Sequence, residues 1–320
     1  MTVPDLNGVA VLVTGGAGFI GSHLVAALVA QGARVRVLDN LETGTRERLA
    51  GCERAIELMI ADLRDLDACR AACRGISCVF HQAALGSVPR SLTDPATTLA
   101  VNVGGTANLL AAAQESGVSR LVYASSSSVY GEGAALPNRE GAEGAPLSPY
   151  AASKRLSEQL AAVFQRCYGV QTVGLRYFNV YGPGQDPAGP YAAVIPRFFQ
   201  AYLRGAAPVI YGDGLQSRDF TFLDDAVRAN LLAAGAGSDA GAAYNIASGR
   251  AVTVRDLAEL VRRLVGGGPE PTHAAPRPGE VRHSVADLAA ARARLGYEPH
   301  YQLEAGLKRS LPYYRALEAG

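Results

Sequence analysis

Tyr150 and Lys154 are the two residues of this chain whose types and spacing best suit acid–base chemistry. Four positions apart on a helix, their side chains lie one turn from each other on the same face. An ammonium group beside a phenol stabilises the phenolate and lowers a pKa that is otherwise about 10. The pair therefore predicts a proton acceptor that works near neutral pH, if other residues complete a site around it.

A run of four serines, residues 125–128, comes before this pair at the end of a predicted strand. Hydroxyl groups at the carboxyl end of a central parallel strand point into the crevice where ligands bind. Because polar turns also favour serine, the run gains weight only in combination with Tyr150 and Lys154.

Glycines at a regular spacing, Gly15-x-x-Gly18-x-x-Gly21, directly follow the first predicted strand and open a helix. Gly15 and Gly18 permit a tight turn and a close approach of the backbone to a pyrophosphate, while Gly21 lets the helix pack closely on the strand. The N–H groups at the start of the helix then face the phosphates. Since an ordinary strand-to-helix turn needs only one or two glycines, the spacing predicts a dinucleotide site.

Two aspartates after later strands bear on which dinucleotide binds. Asp39 ends the second predicted strand, where its carboxylate accepts hydrogen bonds from an adenosine ribose and repels a 2′-phosphate, which favours NAD over NADP. Asp39-Asn40 is also a turn signal, and the two roles can coexist. Asp62, after the third predicted strand, either contacts the adenine ring or caps the helix that follows.

The elements that must position these residues alternate through the first half of the chain, as in a parallel sheet covered by helices on both faces. We expect an α/β fold with a Rossmann-type doubly wound parallel sheet in residues 1–180. A smaller mixed α/β domain is expected in residues 181–320, with part of 215–248 returning to the first domain and the ligand crevice between the two. Strands are predicted at 9–13, 34–39, 56–60, 78–81, 120–124 and 172–177, and helices at 19–30, 66–73, 95–116 and 149–168.

Composition narrows the class of protein. The 320 residues, 48% of them hydrophobic, suffice for one large or two modest domains, and the net charge of +1 gives no reason to expect nucleic acid or an anionic membrane as partner. No apolar run has the length of a bilayer span and no signal peptide opens the sequence, so a cytoplasmic protein is expected. Cys69 and Cys73 share a helical face and can bind a metal, but without a Cys-x-x-Cys pair or a His cluster we expect no metal and simple reduced thiols.

Over essentially its whole length the chain resembles the extended short-chain dehydrogenase/reductase family, and within it the NAD-dependent nucleotide-sugar 4-epimerases. The residues that carry the resemblance are the segment Thr14-Gly15-Gly16-Ala17-Gly18-Phe19-Ile20-Gly21, His81-Gln82-Ala83-Ala84, Asn102-Val103-Gly104-Gly105-Thr106, Ser126 with Tyr150 and Lys154, Leu175-Arg176-Tyr177-Phe178-Asn179 and Arg218-Asp219-Phe220.

This resemblance implies a reaction. Tyr150 would take the proton from the sugar 4-hydroxyl while C4 passes a hydride to NAD, and the 4-keto intermediate would turn in the site and take the hydride back on its other face. Lys154 would bond the nicotinamide ribose and hold Tyr150 ionised. Ser126 would hydrogen-bond the reacting oxygen, a task that Ser127 or Ser128 can share.

The resemblance also implies the binding residues. A UDP-sugar would be held at its diphosphate by Asn179, Arg218 and Arg277. Without the resemblance, Arg277 would be interpreted as a solvated loop residue. The residues implied to contact NAD are Gly15, Gly18, Phe19, Ile20, Gly21, Asp39, Asn40, Asp62, Leu63, Gln82, Ala83, Ala84, Asn102, Tyr150, Lys154 and Tyr177. Those implied to contact the substrate are Ser87, Ser126, Ser127, Ser128, Tyr150, Asn179, Val194, Arg218, Arg277 and Ser284.

Two positions bear on the reaction type and the sugar. Dehydratase relatives carry an Asp-Glu pair where this chain has Ser127-Ser128, and hydroxyl groups cannot replace carboxylates in that proton transfer, which counts against a dehydratase and weakens the case for a decarboxylase. Ser284 matches the position of a tyrosine that closes the pocket around a plain hexose in some relatives. A small residue leaves room for a 2-acetamido group, although Ser284 can instead cap a helix.

The residues and the resemblance leave several functions open. UDP-N-acetylglucosamine (UDP-GlcNAc) 4-epimerisation is favoured, with UDP-glucose as an alternative. A uronic acid substrate would need a cation near C6, for which Arg90 is the candidate. A non-catalytic dinucleotide sensor is the alternative from another class, but a sensor need not keep Ser126, Tyr150 and Lys154 together.

A homodimer is a further implication of the resemblance, through the helices at 95–116 and 149–168. Small residues on these helices allow close helix approach, but packing against the chain's own sheet would explain the same residues. The alanines in question are Ala107, Ala111, Ala112, Ala151, Ala152, Ala161 and Ala162.

Overall fold

A parallel sheet of seven strands forms the centre of the molecule, in a computed structural model that describes residues 2–189, 192–236, 242–276 and 281–319. Its inner strands are buried on both faces, which is why they appear in the sequence as continuous apolar runs. The strands of the described chain are β1 (Ala10–Thr14), β2 (Arg34–Asp39), β3 (Ile56–Ile60), β4 (Cys78–His81), β5 (Arg120–Ser126), β6 (Gln171–Tyr177), β7 (Val180–Tyr181), β8 (Val209–Tyr211), β9 (Ser217–Asp219), β10 (Thr221–Phe222), β11 (Ala243–Ile246), β12 (Ala251–Thr253) and β13 (Thr272–Ala274).

The order of strands across the sheet is β11-β6-β5-β4-β1-β2-β3. The chain winds outward from β1 to β3 in one direction and from β4 to β11 in the other, so the direction of winding switches between β1 and β4. In open parallel sheets a crevice forms at the carboxyl ends of the strands on either side of such a switch. The topology thus predicts where a ligand binds.

Helices cover both faces of the sheet. Alternate residues of β1 separate the two layers, because Val11 and Val13 pack with the helices Phe19–Ala30 and Leu223–Ala234, while Leu12 packs with the helices Leu66–Cys73 and Gly105–Glu115. The helices of the described chain are α1 (Phe19–Ala30), α2 (Leu66–Cys73), α3 (Val88–Thr93), α4 (Pro95–Leu99), α5 (Gly105–Glu115), α6 (Pro149–Tyr168), α7 (Val194–Leu203), α8 (Leu223–Ala234), α9 (Val254–Val265), α10 (Ala289–Leu295) and α11 (Leu303–Ala319).

A separate aromatic core lies in the second half of the chain, between α7, α9 and α11. Phe199 stacks on Tyr314 with ring centroids 4.7 Å apart and an angle of 17° between the planes. Three two-stranded pairings, β10 with β7, β12 with β9 and β13 with β8, lie outside the main sheet. None of the helices in the described ranges is long and apolar enough to cross a bilayer.

The predicted fold class is confirmed, and most element bounds agree with the prediction to within one or two residues. The helix expected at 95–116 is an exception, because a π-helical turn at Ala100–Gly104 separates α4 from α5. The hydroxyl groups of Thr106 and Ser157 both donate to the carbonyl oxygen of Asn102, at 2.5 and 3.2 Å, and so compete with the regular helical hydrogen bonds. The division of the chain at residue 180 stays a prediction. β11 and α8, which lie within residues 215–248, pack in the main sheet and against its face.

Candidate active site

A cavity of about 1040 Å³ runs along the carboxyl ends of the central strands, at the predicted switch point. Pockets for one small ligand are typically about 300–1,000 Å³, so this cavity is large for a single ligand and can accommodate an extended molecule. Nearly all the residues predicted to form the site line it. They are Gly15, Gly18, Phe19, Ile20, Gly21, Asp39, Asn40, Asp62, Leu63, Gln82, Ala83, Ala84, Ser87, Ser126, Ser127, Ser128, Tyr150, Lys154, Tyr177, Asn179, Val194, Arg218 and Ser284.

Two predicted residues are not in this lining. Arg277 lies outside the residues that the structure describes. Asn102 is buried behind the wall, where its Oδ1 accepts from the backbone N–H of Leu85 at 2.8 Å and its Nδ2 donates to Ser153 Oγ at 3.0 Å. Because Leu85 lines the cavity, Asn102 supports its wall from behind, and its direct contact with the cofactor stays a prediction.

The glycine segment forms a cradle that side chains would fill. Gly15 has a φ of +68°, and a Cβ on it would lie 2.6 Å from the backbone nitrogen of Ala83. A Cβ on Gly21 would lie 2.0 Å from the carbonyl oxygen of Gly15, so helix α1 can approach β1 this closely only without a side chain. Gly18 is the N-cap of α1 and has no side chain to cap the helix, which leaves the N–H groups of the first turn for an anion. A pyrophosphate fits this cradle.

Asp39 is placed for both of its predicted roles. Its Oδ2 accepts from the backbone N–H of Ala17 at 2.9 Å and its Oδ1 from that of Leu41 at 2.8 Å, so the carboxylate joins the glycine segment to the turn after β2. The same residue lines the cavity, where the lone pairs that remain can accept from a ribose.

Asp62 lies beside the turn that follows Asp39. The alternative prediction, that Asp62 caps the following helix, is wrong. The carboxylate of Asp65 caps α2 instead, accepting from the N–H groups of Asp67 and Ala68. Asp62 accepts from the Nδ2 of Asn40 at 2.9 Å, and hydrogen bonds from Arg64 hold the pKa of Asp62 well below its usual range. An ionised carboxylate at the cavity wall can accept from an adenine amino group.

Ser126 is the serine that meets Tyr150. The two side chains share a hydrogen bond, and Ser126 Oγ also accepts from the N–H and the Oγ of Ser128, at 3.2 and 2.9 Å. Ser127 and Ser128 line the cavity beside it, in a short 3₁₀ helix over Ser127–Tyr130. Ser125 points the other way, because neighbouring residues of a strand face opposite sides.

That Lys154 lowers the pKa of Tyr150 stays a prediction. Burial raises the pKa of Tyr150, and the hydrogen bond with Ser126 opposes that rise. The Nζ of Lys154 lies 6.0 Å from the centroid of the Tyr150 ring and donates to the carbonyl oxygen of Ala124 at 2.8 Å. Burial lowers the pKa of Lys154 to about 8, against the opposing charge of Glu158.

Polar residues that the sequence did not single out support the cofactor side of the cavity. Asn230 donates through Nδ2 to the hydroxyl of Tyr177 at 2.7 Å and accepts from the Nε2 of Gln82 at 2.9 Å. The ring of His81 lies between Thr14 Oγ1 at 2.7 Å and Thr106 Oγ1 at 3.0 Å, and burial lowers the pKa of His81 to about 3, so the ring is neutral. His81 stood in a motif of the resemblance, whereas no pattern pointed to Asn230.

The other end of the cavity holds the predicted substrate residues. Arg218 donates through Nη1 to the carbonyl oxygens of Ser217 and Arg282, at 2.9 and 3.1 Å, and Asn179 donates to that of Asp219 at 3.0 Å. Ser284 is a buried part of the wall. Its alternative role as a helix cap is wrong, because α10 begins five residues later at Ala289.

Cys69 and Cys73 pack in the apolar core between α2 and the sheet. Burial raises the pKa of each thiol to about 12, so both are protonated at neutral pH. The Sγ of Cys69 donates to the carbonyl oxygen of Leu63 at 3.4 Å. The two residues therefore act as small apolar side chains.

Known proteins resemble this chain along nearly its whole length. Residues 11–247 match the NAD-dependent epimerase/dehydratase family. The UDP-glucose 4-epimerase of Mycolicibacterium smegmatis is 38% identical over 308 residues, which cover 95% of this chain and 98% of that protein. The structure of the Thermotoga maritima UDP-glucose 4-epimerase with UDP-glucose superimposes with a TM-score of 0.92 at 38% identity, covering 97% of this chain and 99% of that one. The UDP-N-acetylglucosamine 4-epimerase of Methanobrevibacter ruminantium, in complex with UDP-N-acetylmuramic acid, gives a TM-score of 0.92 at 37% identity with coverage of 97% and 99%.

Proposed function

The chain belongs to the NAD-dependent epimerase/dehydratase family and is an NAD-dependent UDP-sugar 4-epimerase, and we propose that its main substrates are UDP-GlcNAc and UDP-GalNAc. The observation that carries this proposal is the meeting of Ser126, Tyr150 and Lys154 in one cavity whose far wall contains the small Ser284. Because the chain is an enzyme of this family, the alternative of a non-catalytic sensor is set aside.

The mechanism assigns a role to each residue of the centre. Tyr150 takes the proton from the sugar 4-hydroxyl, and Ser126, whose hydroxyl is hydrogen-bonded to Tyr150, holds the same oxygen. NAD, when bound, supplies the hydride acceptor, later the hydride donor, and a positive charge that favours the phenolate. The ammonium group of Lys154 adds to that positive charge from the end of β5. Tyr150 returns the proton at the end, so the protein leaves each turnover unchanged.

The diphosphate of the substrate would lie against Arg218 and Asn179. The Arg218 guanidinium carries a permanent charge on the cavity wall, and its forked donors suit phosphate oxygens. Asn179 has a φ of +32°, a conformation that asparagine tolerates better than most residues, and its Nδ2 donates to the carbonyl oxygen of Asp219, the neighbour of Arg218 on β9. Arg277 stays a third candidate from the sequence.

Ser284 supports the choice of an N-acetylated sugar. Its backbone N–H donates to the carbonyl oxygen of Ser217 at 3.1 Å, so the backbone is fixed and the size of this side chain determines the space beside it. We expect Ser284→Tyr to lower kcat/KM about 10- to 200-fold more for UDP-GlcNAc than for UDP-glucose, because a phenol ring fills the volume that an acetamido group needs. Equal losses on the two sugars, measured side by side, would remove this argument.

A uronic acid substrate is disfavoured by the position of Arg90. Its guanidinium forms an ion pair with Glu42, which lies in the turn after Asp39. The cation that a C6 carboxylate would need is therefore already paired with a carboxylate of the protein. Elimination of water is disfavoured as well, because Ser127 and Ser128 line the cavity where a dehydratase requires an acid and a base.

The function is tested by incubating the purified protein separately with UDP-GlcNAc, UDP-glucose and UDP-glucuronic acid and separating the products. The C4-inverted product should form from UDP-GlcNAc with the highest kcat/KM. Inversion of UDP-glucose alone would transfer the proposal to the plain hexose. The absence of any inverted product would end it.

We also propose a homodimer formed through α4 and α6. Leu99 and Leu156 on these neighbouring helices expose 37% and 42% of their surface, and Leu92 and Val163 extend the apolar stripe. Ala112, Ala151 and Ala161 are buried against the chain's own core, whereas Ala107, Ala111, Ala152 and Ala162 are partly exposed. A second copy would cover this apolar surface.

Sedimentation velocity tests the dimer. We expect Leu156→Glu to shift a dimer to monomer, because the interface would bury an unpaired charge. Leu317→Glu, at an equally exposed leucine of α11, should leave the dimer intact. A wild-type protein that sediments as a monomer at micromolar concentration would contradict the proposal.

All five cysteines are unpaired, which fits the reducing cytoplasm that we propose as the location of the protein.

A further inference from the structure

Two pairs of opposite charges lie close together behind the proposed centre. Arg176, on β6, donates to both carboxylate oxygens of Glu158, Nε to Oε1 and Nη2 to Oε2, each at 2.8 Å. Its Nη1 donates to Glu143 Oε1 at 2.5 Å. The side chains of Arg176, Glu143 and Glu158 are 7%, 14% and 13% exposed, and Lys154 is buried one helical turn before Glu158. The four charges cancel, as burial in a poorly solvated interior requires.

Glu158 connects this group to the strand that carries the reactive serine. Its Oε1 accepts from Ser125 Oγ at 2.5 Å. Ser125 pairs with Arg176 in the register of β5 and β6, and Ser126 is the next residue. Lys154 donates to the carbonyl oxygen of Ala124 on the same strand end. Glu158 is thus linked to both parts of the centre. It is hydrogen-bonded to β5 through Ser125, and it lies one helical turn from Lys154 on α6.

The charges and titratable groups around Lys154 leave Glu158 as its counter-charge. Tyr150 on α6, Tyr123 on β5 and Tyr130 after it all have pKa values that burial raises, so they are neutral. His81 on β4 is neutral as well, and Arg176 is itself a cation. Within the described chain, Glu158 is the group whose charge raises the pKa of Lys154 against the effect of burial.

We propose that Glu158 is a positioning residue of the redox centre, which keeps Lys154 in its ammonium form and holds, through Ser125, the strand end that presents Ser126. The proposal deepens the proposed epimerase function and rests on it for its catalytic consequence. Its electrostatic part concerns the charge of Lys154 alone and is measurable without any turnover.

The sequence makes that measurement simple, because Lys154 and Lys308 are its only lysines. Protein labelled with [ε-¹³C]lysine gives two side-chain signals, and Lys308→Arg assigns them. Lys308 lies on α11 and is 59% exposed, so it serves as an internal reference. Following the Cε chemical shift from pH 6 to 11 yields the pKa of Lys154 directly.

We expect a pKa of about 8 for Lys154 in the wild type and a value lower by about one unit in Glu158→Gln. Glu143→Gln is the matched control, since it removes the other carboxylate of Arg176 and should leave the pKa of Lys154 within a few tenths of a unit. Glu158→Asp keeps the charge and should restore most of the wild-type value. An unchanged Lys154 pKa in Glu158→Gln, or an equal fall in Glu143→Gln, would overturn the electrostatic part.

The kinetic consequence is a shift of the pH profile. Lys154 is charged below its pKa and loses its proton above it, so the alkaline fall of kcat should move to lower pH in Glu158→Gln by the amount seen in the titration. Ser125→Ala leaves all four charges in place and should lower kcat several-fold without moving the pKa of Lys154; an unchanged kcat would overturn the positioning part. A wild type that shows no epimerase activity would instead reject the proposed function, and the lysine titration would still decide the charge of Lys154.

Discussion

Replacing Tyr150 with phenylalanine should lower kcat for UDP-GlcNAc by a factor of about 10² to 10⁴, the range typical of losing a general acid–base group. The phenol oxygen is the group that accepts and returns the 4-hydroxyl proton in the proposed mechanism. Ser126 would still hold the sugar oxygen but cannot replace that base, because a serine hydroxyl is far less acidic than a phenol. Steady-state rates of epimerisation measure the effect.

The matched control for Tyr150→Phe is its NAD content and its thermal unfolding. Both should stay near the wild-type values, since phenylalanine keeps the ring that packs in the cavity wall and removes only one oxygen. A variant that binds NAD normally and turns over at more than about a tenth of the wild-type rate would show that another group transfers the proton.

Removing Arg176 from the buried charge group should have the largest effect on stability. Arg176→Met leaves Glu143 and Glu158 buried without their common partner, and breaking such a pair costs about 3–5 kcal/mol in the free energy of unfolding. Urea or guanidinium unfolding at pH 7 measures the loss.

Arg204→Met is the control for Arg176→Met. Arg204 also pairs with a glutamate, Glu318, but its side chain is 59% exposed, so its removal should destabilise the protein far less than the removal of Arg176. If the two variants lost similar stability, burial would not be the reason for the importance of Arg176.

The sequence predicted the positions of this site better than its electrostatics. Gly15, Asp39 and Ser126 each end or follow a strand of the parallel sheet, and the carboxyl ends of such strands meet at one edge whatever the detailed packing. Their convergence on one cavity therefore followed from strand order alone. The pKa of Tyr150 did not, because it depends on how deeply the ring is buried and on distances that helical spacing does not fix.

The contacts that the sequence missed are tertiary. Glu158 and Arg176 lie 18 positions apart, on a helix and the next strand, and they meet only through the packing of α6 on β6. Asn230 is 148 positions from its partner Gln82. The π turn near Asn102 depends on a hydroxyl from another helix. None of these contacts leaves a local pattern in the sequence.

Transfer of a deuterium label tests the central claim most directly, that one carbon is oxidised and then reduced again in the same site. The protein should convert UDP-[4-²H]GlcNAc into UDP-GalNAc that keeps the deuterium at C4, because the hydride returns from the bound cofactor to the carbon that it left. Mass spectrometry with fragmentation of the sugar, or NMR of the C4 position, locates the label. Product with hydrogen at C4, or with deuterium on another carbon, would contradict the mechanism.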